Sequence, residues 1–430
     1  MSGTATMTSE SIYQKSVLEN GVRIVSEYIP HVRSVSIGVW IQNGSRNEVV
    51  EKNGISHFVE HMVFKGTTNR TTEEIAQSLE AVGGHLNAFT SKELTCYYAR
   101  VLDEHVPLAL EVLADILINS LFKEEDIEKE RQVILEEIKN RDDTPDDLIH
   151  DLFFRSLYEP HPLAWPILGS PENIRRFSAH ELRCFVEDHY ANNRTVVVAA
   201  GNVEHNTLVD FIQQHFCVGN FFVQDDTSVF SEISTRIDIH QRDSAQTHVC
   251  VGTRSFPYAR PQRIPLFVLS TLLGRGMSSR LFQNIREKEG LAYSIFTIQD
   301  FFVDTGIFGV YAGTDSSHIQ RVLALILQEF QSLVTTPVSE DELTRTKSQL
   351  KGNLMLSLES TSNRMMRLSE QEIYLDTYSS LDETIAHIDR VTAEDIQTVA
   401  TDLFDPEKFI VTVLGPVKED LLKNEDLFVN

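Results

Sequence analysis

The chain has 430 residues, 41% hydrophobic and 23% charged, with a formal net charge of −25. This length builds more than one hydrophobic core, and the composition is that of an ordinary globular protein without low-complexity tracts. The acidic balance argues against nucleic acid or an anionic membrane as a partner and fits cationic ligands.

Taken from the N-terminus, MSGTATMTSESIYQK has no apolar core and no arginine-rich amphipathic pattern, so neither a secretory nor a transit peptide is expected. No apolar run approaches membrane-spanning length, and TVVVAAG (195–201) reads as a buried strand. Cys96, Cys184, Cys217 and Cys250 lack CxxC spacing and read as reduced thiols of a cytoplasmic protein.

The next informative stretch is HFVEH, residues 57–61. In a helix, His57 and His61 lie one turn apart and face the same way, so both imidazoles reach one ion. Glu60 stands beside them, where it can hold a water on that ion. HxxEH is HExxH reversed, the inverzincin signature. The alternative is a helix with two partly exposed histidines.

GGHLNAFTSKELTCYY, from Gly83, opens with a glycine pair that marks a turn, and Asn87 reads as a turn cap. Farther on, EKERQVILEEIKN from Glu128 is an amphipathic helix whose apolar face carries Ile127, Ile134 and Ile138. At about 100° per residue, Glu130, Val133 and Glu137 fall on that face, and Glu136 falls off it. A carboxylate on a core-facing stripe needs a partner, either a metal ion or a salt bridge to Arg131 or Arg141. Catalytic zinc takes three protein ligands and leaves one position for water, so this helix is where the third ligand is sought.

The chain then repeats itself. IRRFSAHELRCFVEDHYANNRTVVVAAGNV, from Ile174, runs without a gap against IDRVTAEDIQTVATDLFDPEKFIVTVLGPV, from Ile388. Each copy reads as a helix capped by Ser178 or Thr392, then a strand of β-branched residues ending at Gly201 or Gly415. EHVPLALEVLADIL resembles SHIQRVLALILQEF, and KEEDIEKERQVILEE resembles SEDELTRTKSQLKGN. Two homologous domains are therefore expected, residues 1–218 and 235–430, joined by a linker at 219–234. Their class is α+β, a mostly antiparallel sheet with helices packed on it, duplicated.

The duplication supplies an internal control. The partner of HFVEH is LFVLS, residues 266–270. Phe58 and Val59 are kept as Phe267 and Val268, whereas His57, Glu60 and His61 face Leu266, Leu269 and Ser270. Glu130 and Glu137 face Thr346 and Asn353. The packing residues persist, and the histidines and acids are lost together. The chemistry this suggests is peptide hydrolysis, since an ion lowers the pKa of bound water from about 15.7 to about 7 and Glu60 can serve as general base.

These residues resemble the pitrilysin/insulysin-like zinc metallopeptidases. The shorter members are most similar, such as the mitochondrial processing peptidase β-subunit and its bacterial relatives. The resemblance spans LENGVRIVSE (18–27) to the GPV at 415. HFVEHMVFKGT resembles the family's active-site helix, and ERQVILEEI the segment bearing its third ligand. The resemblance implies one zinc ion per chain on His57, His61 and Glu137, with Glu60 as the base and Glu130 as an acid behind the ligands. It makes GGHLNAFTSKELTCYY the edge strand on which a peptide adds as a further strand, through the backbone of Asn87, Ala88 and Phe89.

GRGMSSRLFQNIREKEGLAYSI, from Gly274, resembles the signature of the family's second domain. Arg286 and Tyr293 match its arginine–tyrosine pair, which contacts substrate. Without the resemblance, Arg286 reads as a surface ion-pair residue with Glu287 or Glu289. The resemblance further implies a homodimer in which the pair serves the other chain's zinc site, and short or unfolded peptides as substrates, basic ones included. The competing reading is a non-catalytic or partner-dependent peptide-binding homologue.

Overall fold

The computed structural model describes residues 12–216, 230–418 and 420–423. The sheets and helices form two compact units. The first comprises residues up to 138, 166–227 and 357–378, and the second 139–165, 228–356 and 379 onward. Most of the linker expected at 219–234 lies outside the described residues, and 230–234 carry no regular structure.

The first unit is built on a six-stranded sheet. Its strands are β1 (Ile12–Val17), β2 (Arg23–Tyr28), β3 (Ser34–Ile41), β4 (His85–Thr90), β5 (Thr95–Leu102) and β6 (Thr195–Gly201), in the order β1-β2-β6-β3-β5-β4. The second unit has a five-stranded sheet of β7 (Arg236–Gln241), β8 (Thr247–Ser255), β9 (Ala292–Phe301), β10 (Gly306–Thr314) and β11 (Ile410–Gly415), in the order β7-β11-β8-β10-β9. Without β1, the two orders are the same. Each sheet is antiparallel except for one parallel pair, β2 with β6 and β7 with β11. The duplication read from sequence is therefore a duplication of topology. The repeated strand TVVVAAG is fully buried as β6, and its counterpart is β11. Ser178 and Thr392 cap their helices in complete capping boxes.

Each sheet is buried on both faces. In the first unit one face meets the helices that carry Ile55, Phe58, Ile127 and Ile134. The other, with Val25, Trp40, Val196 and Val198, is covered by Met365 and Leu368 of the helix Thr361–Leu375. In the second unit Cys250, Ile307 and Ile410 are covered by Ile149, Phe153 and Leu157 of the helix Pro145–Tyr158. The units are therefore not the contiguous segments 1–218 and 235–430. Each takes one helix from the other half of the chain, because a sheet apolar on both faces needs a second cover. Among the described residues no single helix is long and apolar enough to cross a membrane. Cys96, Cys184 and Cys250 are free thiols, and Cys217 lies outside the described residues.

Candidate metal centre

The candidate site lies in the first unit, on α1 (Ile55–Met62), α2 (Glu124–Asp143) and the end of β4. Helix α1 has two faces. Ile55, Phe58, Val59 and Met62 recur at helical spacing and are wholly buried. Each contributes about 1.5–3 kcal/mol by leaving water. The same period turns His57, Glu60 and His61 to the other side.

The start of α1 is held by an acid that the sequence reading missed. The N-cap is Gly54, in the left-handed region at φ 99°, with no side chain to satisfy the first N–H groups. A Cβ there would lie 2.8 Å from Gly169 Cα, so glycine is required. Glu48 supplies the missing acceptor. Its carboxylate takes the N–H of Gly54 at 2.8 Å, of Ser56 at 2.8 Å and of the Asn53 amide at 2.9 Å. A helix that begins on glycine without a side-chain cap is the sequence signal for such an acceptor. Burial pushes Glu48 up to about 7, against the pull of those donors.

Glu137 reaches both imidazoles. Its Oε2 lies 3.8 Å from His57 Nε2 and 3.6 Å from His61 Nε2. One ligand atom from each of the three residues lies within 4.8 Å of the others, the one such group among the described residues. These separations are too long for hydrogen bonds. They approach the roughly 3.4 Å edge of a tetrahedron with 2.0–2.2 Å bonds, the geometry of a zinc site. The two rings stand edge to face, with centroids 4.6 Å apart.

The donor chemistry fits a metal as well. Burial, with the neighbouring His61 charge, lowers His57 to about 3, so the imidazole is neutral and its Nε2 is a lone-pair donor. His57 Nδ1 is buried without a hydrogen-bond partner among the described residues. His61 Nδ1 meets Glu130 Oε2 at 3.1 Å, and Lys65 Nζ meets Glu130 Oε1 at 2.7 Å. Burial alone would raise Glu130, but the hydrogen bonds from His61 and Lys65 outweigh it and hold the carboxylate below its usual range. An ionised carboxylate only accepts, so the proton that His61 shares with Glu130 sits on Nδ1, and Nε2 is the atom that faces Glu137. Burial alone would lower His61; the Glu130 hydrogen bond and the charges of Glu137, Glu130 and Glu60 raise it instead.

Burial raises Glu60 above the usual carboxylate range, opposed by a hydrogen bond from Thr90. That bond, from Thr90 Oγ1 to Glu60 Oε2, measures 2.5 Å. The salt-bridge alternative names the wrong partners. Arg131 holds Glu128 and the carbonyls of Ile174 and Phe177, while Arg141 holds Asp142 and Asp151. Val133, expected on the core-facing stripe, is 44% exposed, because the apolar stripe through Ile127, Ile134 and Ile138 is narrower than the sequence reading allowed.

β4 is the edge strand, and in it the Ala88 N–H is met by the Oδ1 of Asn87 at 2.8 Å. Arg286 and Tyr293 belong to the second unit and are brought together there. The guanidinium lies 5.6 Å from the Tyr293 ring centroid and 4.8 Å from that of Phe282. The ion pairs expected of Arg286 are not formed among the described residues, and Glu289 meets Arg321 instead. Tyr293 is 72% exposed. Sequence reasoning passed over Glu48, Lys65 and Thr90, since their contacts depend on how loops and a strand end fold back on α1.

The chain is similar to known proteins over most of its length. Residues 23–170 match the family model described as insulinase, peptidase family M16, and residues 176–350 match that of the peptidase M16 inactive domain. An uncharacterized zinc protease of Bacillus subtilis is 41% identical over 400 residues, covering 93% of this chain and 97% of its own. One of Streptomyces coelicolor is 38% identical over 414 residues, covering 94% and 90%. Among solved structures, a protease from Helicobacter pylori aligns with a TM-score of 0.86 at 25% identity, covering 95% of this chain and 100% of that one. A peptidase M16 inactive domain from Pseudomonas fluorescens shares the fold, with a TM-score of 0.87 at 18% identity over 94% of this chain and 98% of that one.

Proposed function

The chain belongs to the insulinase-like peptidase family M16, and from that premise we propose that it is a zinc-dependent endopeptidase acting on short or unfolded peptides. The observation that carries the reading is the convergence of His57, His61 and Glu137 on one point, with Glu60 beside them. Those three side chains would hold the ion. When bound, it supplies Lewis acidity, which activates a water and polarises the scissile carbonyl.

The chain's own groups do the rest. Glu130 orients His61 through Nδ1, and Lys65 offsets the charge of Glu130. Glu60 takes a proton from the attacking water and passes it to the leaving amine as the C–N bond breaks. A raised pKa suits both duties, because the ideal acid–base catalyst titrates near the working pH. A peptide adds along the edge of β4 at Asn87, Ala88 and Phe89, where it displaces the Asn87 amide oxygen from the Ala88 N–H. Arg286 and Tyr293 contact the substrate in a homodimer, each chain serving the other's site. The excess of acidic side chains favours basic peptides, and the free thiols Cys96, Cys184 and Cys250 fit a reducing, cytoplasmic setting.

The test uses the zinc-loaded protein and a quenched fluorescent peptide. Glu60→Gln keeps its metal and loses cleavage by about a thousandfold, within the usual range for a general base. Normal cleavage by this variant removes Glu60 from the mechanism.

A further inference from the structure

Glutamate alone does not fix its own carboxylate. Its last torsion is broad and two-fold, so a base that must face one water needs an external hold. In this chain the hold is Thr90. Its hydroxyl donates to Glu60 Oε2 at 2.5 Å. Thr90 is also the last residue of the edge strand β4. The group that holds the base and the strand open to peptide addition are thus one piece of backbone.

The second unit shows what that position is when there is no base. The β4–β5 hairpin closes with Thr90 opposite Thr95, and the β9–β10 hairpin with Phe301 opposite Gly306. Both loops have four residues and the same internal bond, Ser91 N–H to Leu94 O at 2.7 Å and Phe302 N–H to Thr305 O at 2.8 Å. Phe301 therefore stands in the place of Thr90, and Leu269 in that of Glu60. Both are apolar; Leu269 is buried in the core of the second unit, and Phe301 packs against that core. The strand end needs no threonine to close its hairpin, and the polar pair has been exchanged as a pair.

We infer that Thr90 is a positioning residue for the reaction. It fixes the Glu60 carboxylate from the end of the peptide-receiving strand, so that the surface that seats a substrate also aims the base. The inference rests on Glu60 as the base and goes beyond it in assigning the residue that aims it.

The experiment compares the zinc-loaded wild type with Thr90→Val, Thr90→Ser and Glu60→Gln on a quenched peptide. Valine keeps the β-branched shape of the strand and removes only the hydroxyl. Thr90→Val lowers kcat by about tenfold to a hundredfold, the cost of a misaimed catalytic group, and leaves KM, bound zinc and melting temperature as in the wild type. Thr90→Ser, which restores the donor, restores most of kcat. In metal-free protein labelled at glutamate carboxyls, the resonance absent from Glu60→Gln shifts in Thr90→Val and returns in Thr90→Ser. Wild-type kcat in Thr90→Val, or a Thr90→Ser as impaired as Thr90→Val, overturns the inference. If that happens while Glu60→Gln is inert, the assignment of the base stands and only the role of Thr90 falls. If Glu60→Gln cleaves normally, the base assignment fails first.

Discussion

Helix α1 and the helix Arg263–Gly274, here α3, occupy the same place in their units. One packs on the edge strand β4 and the other on the edge strand β9. Both follow the same pattern, with Phe58 and Val59 matched by Phe267 and Val268. They differ where α1 carries His57, Glu60 and His61. In α3 the facing residues Leu266, Leu269 and Ser270 are buried, and Ser270 bonds Thr297 of β9 at 2.9 Å. The supporting residues change in step. Glu48 would be matched by Pro257 at the same offset, Glu130 by Thr346 and Glu137 by an exposed Asn353. One scaffold thus exists in a polar and an apolar version. The difference separates what the fold requires from what the site adds, and it marks His57, Glu48 and Glu60 as groups whose charged forms are disfavoured by burial that the other copy avoids.

The comparison breaks if the two versions interchange freely. Leu269→Glu sets a carboxylate into a packed apolar core without Thr90, a histidine or Lys65 nearby, and should destabilise the protein by about 5 kcal/mol. The reciprocal Glu60→Leu should leave the melting temperature equal or higher, since it removes a partly desolvated acid. Thermal unfolding of both variants checks the pair. Similar losses in the two would mean that Glu60 stabilises the fold, and the distinction between scaffold and site would disappear.

A smaller effect sharpens the account of how α1 is held. The folded value of Glu48, about 7, lies above the ordinary carboxylate value of 4.5. A group raised on folding contributes stability that is complete below about 4.5 and is lost as pH rises through about 7. The loss amounts to about 3 kcal/mol. Glu48→Gln cannot ionise and lacks this slope. Urea midpoints from pH 4 to 8 should show the advantage of the wild type over Glu48→Gln greatest at the acid end and shrinking toward pH 8. A constant gap would mean that Glu48 stays ionised throughout and acts as a plain anionic cap.

Much of this was legible in the residues themselves. The two-faced period of HFVEH, the caps at Ser178 and Thr392 and the ungapped repeat are local signals, and the helix and strand periods carry them. Glu137 was reachable because helical spacing brings it beside the apolar stripe, and the copy that lacks the histidines lacks that acid too. The exchange of one helix between halves was not legible. Met365 and Phe153 look like any core residue, and nothing local says which sheet they cover. Val133 was misplaced because the buried stripe of α2 runs through Ile127, Glu130, Ile134 and Ile138 and is narrower than the apolar residues suggest. Glu48, Lys65 and Thr90 act through contacts set by loop closure, for which periodicity is silent.

The central claim is that three side chains, two from α1 and one from far along the chain, form one metal site. Zinc titration of metal-free protein by calorimetry tests it most directly, in the wild type and in Glu137→Ala. The account predicts one ion per chain in the wild type and affinity lower by at least about a hundredfold in the variant, since losing a ligand costs no less than losing a residue that merely orients one. Equal affinity in the two proteins would contradict it.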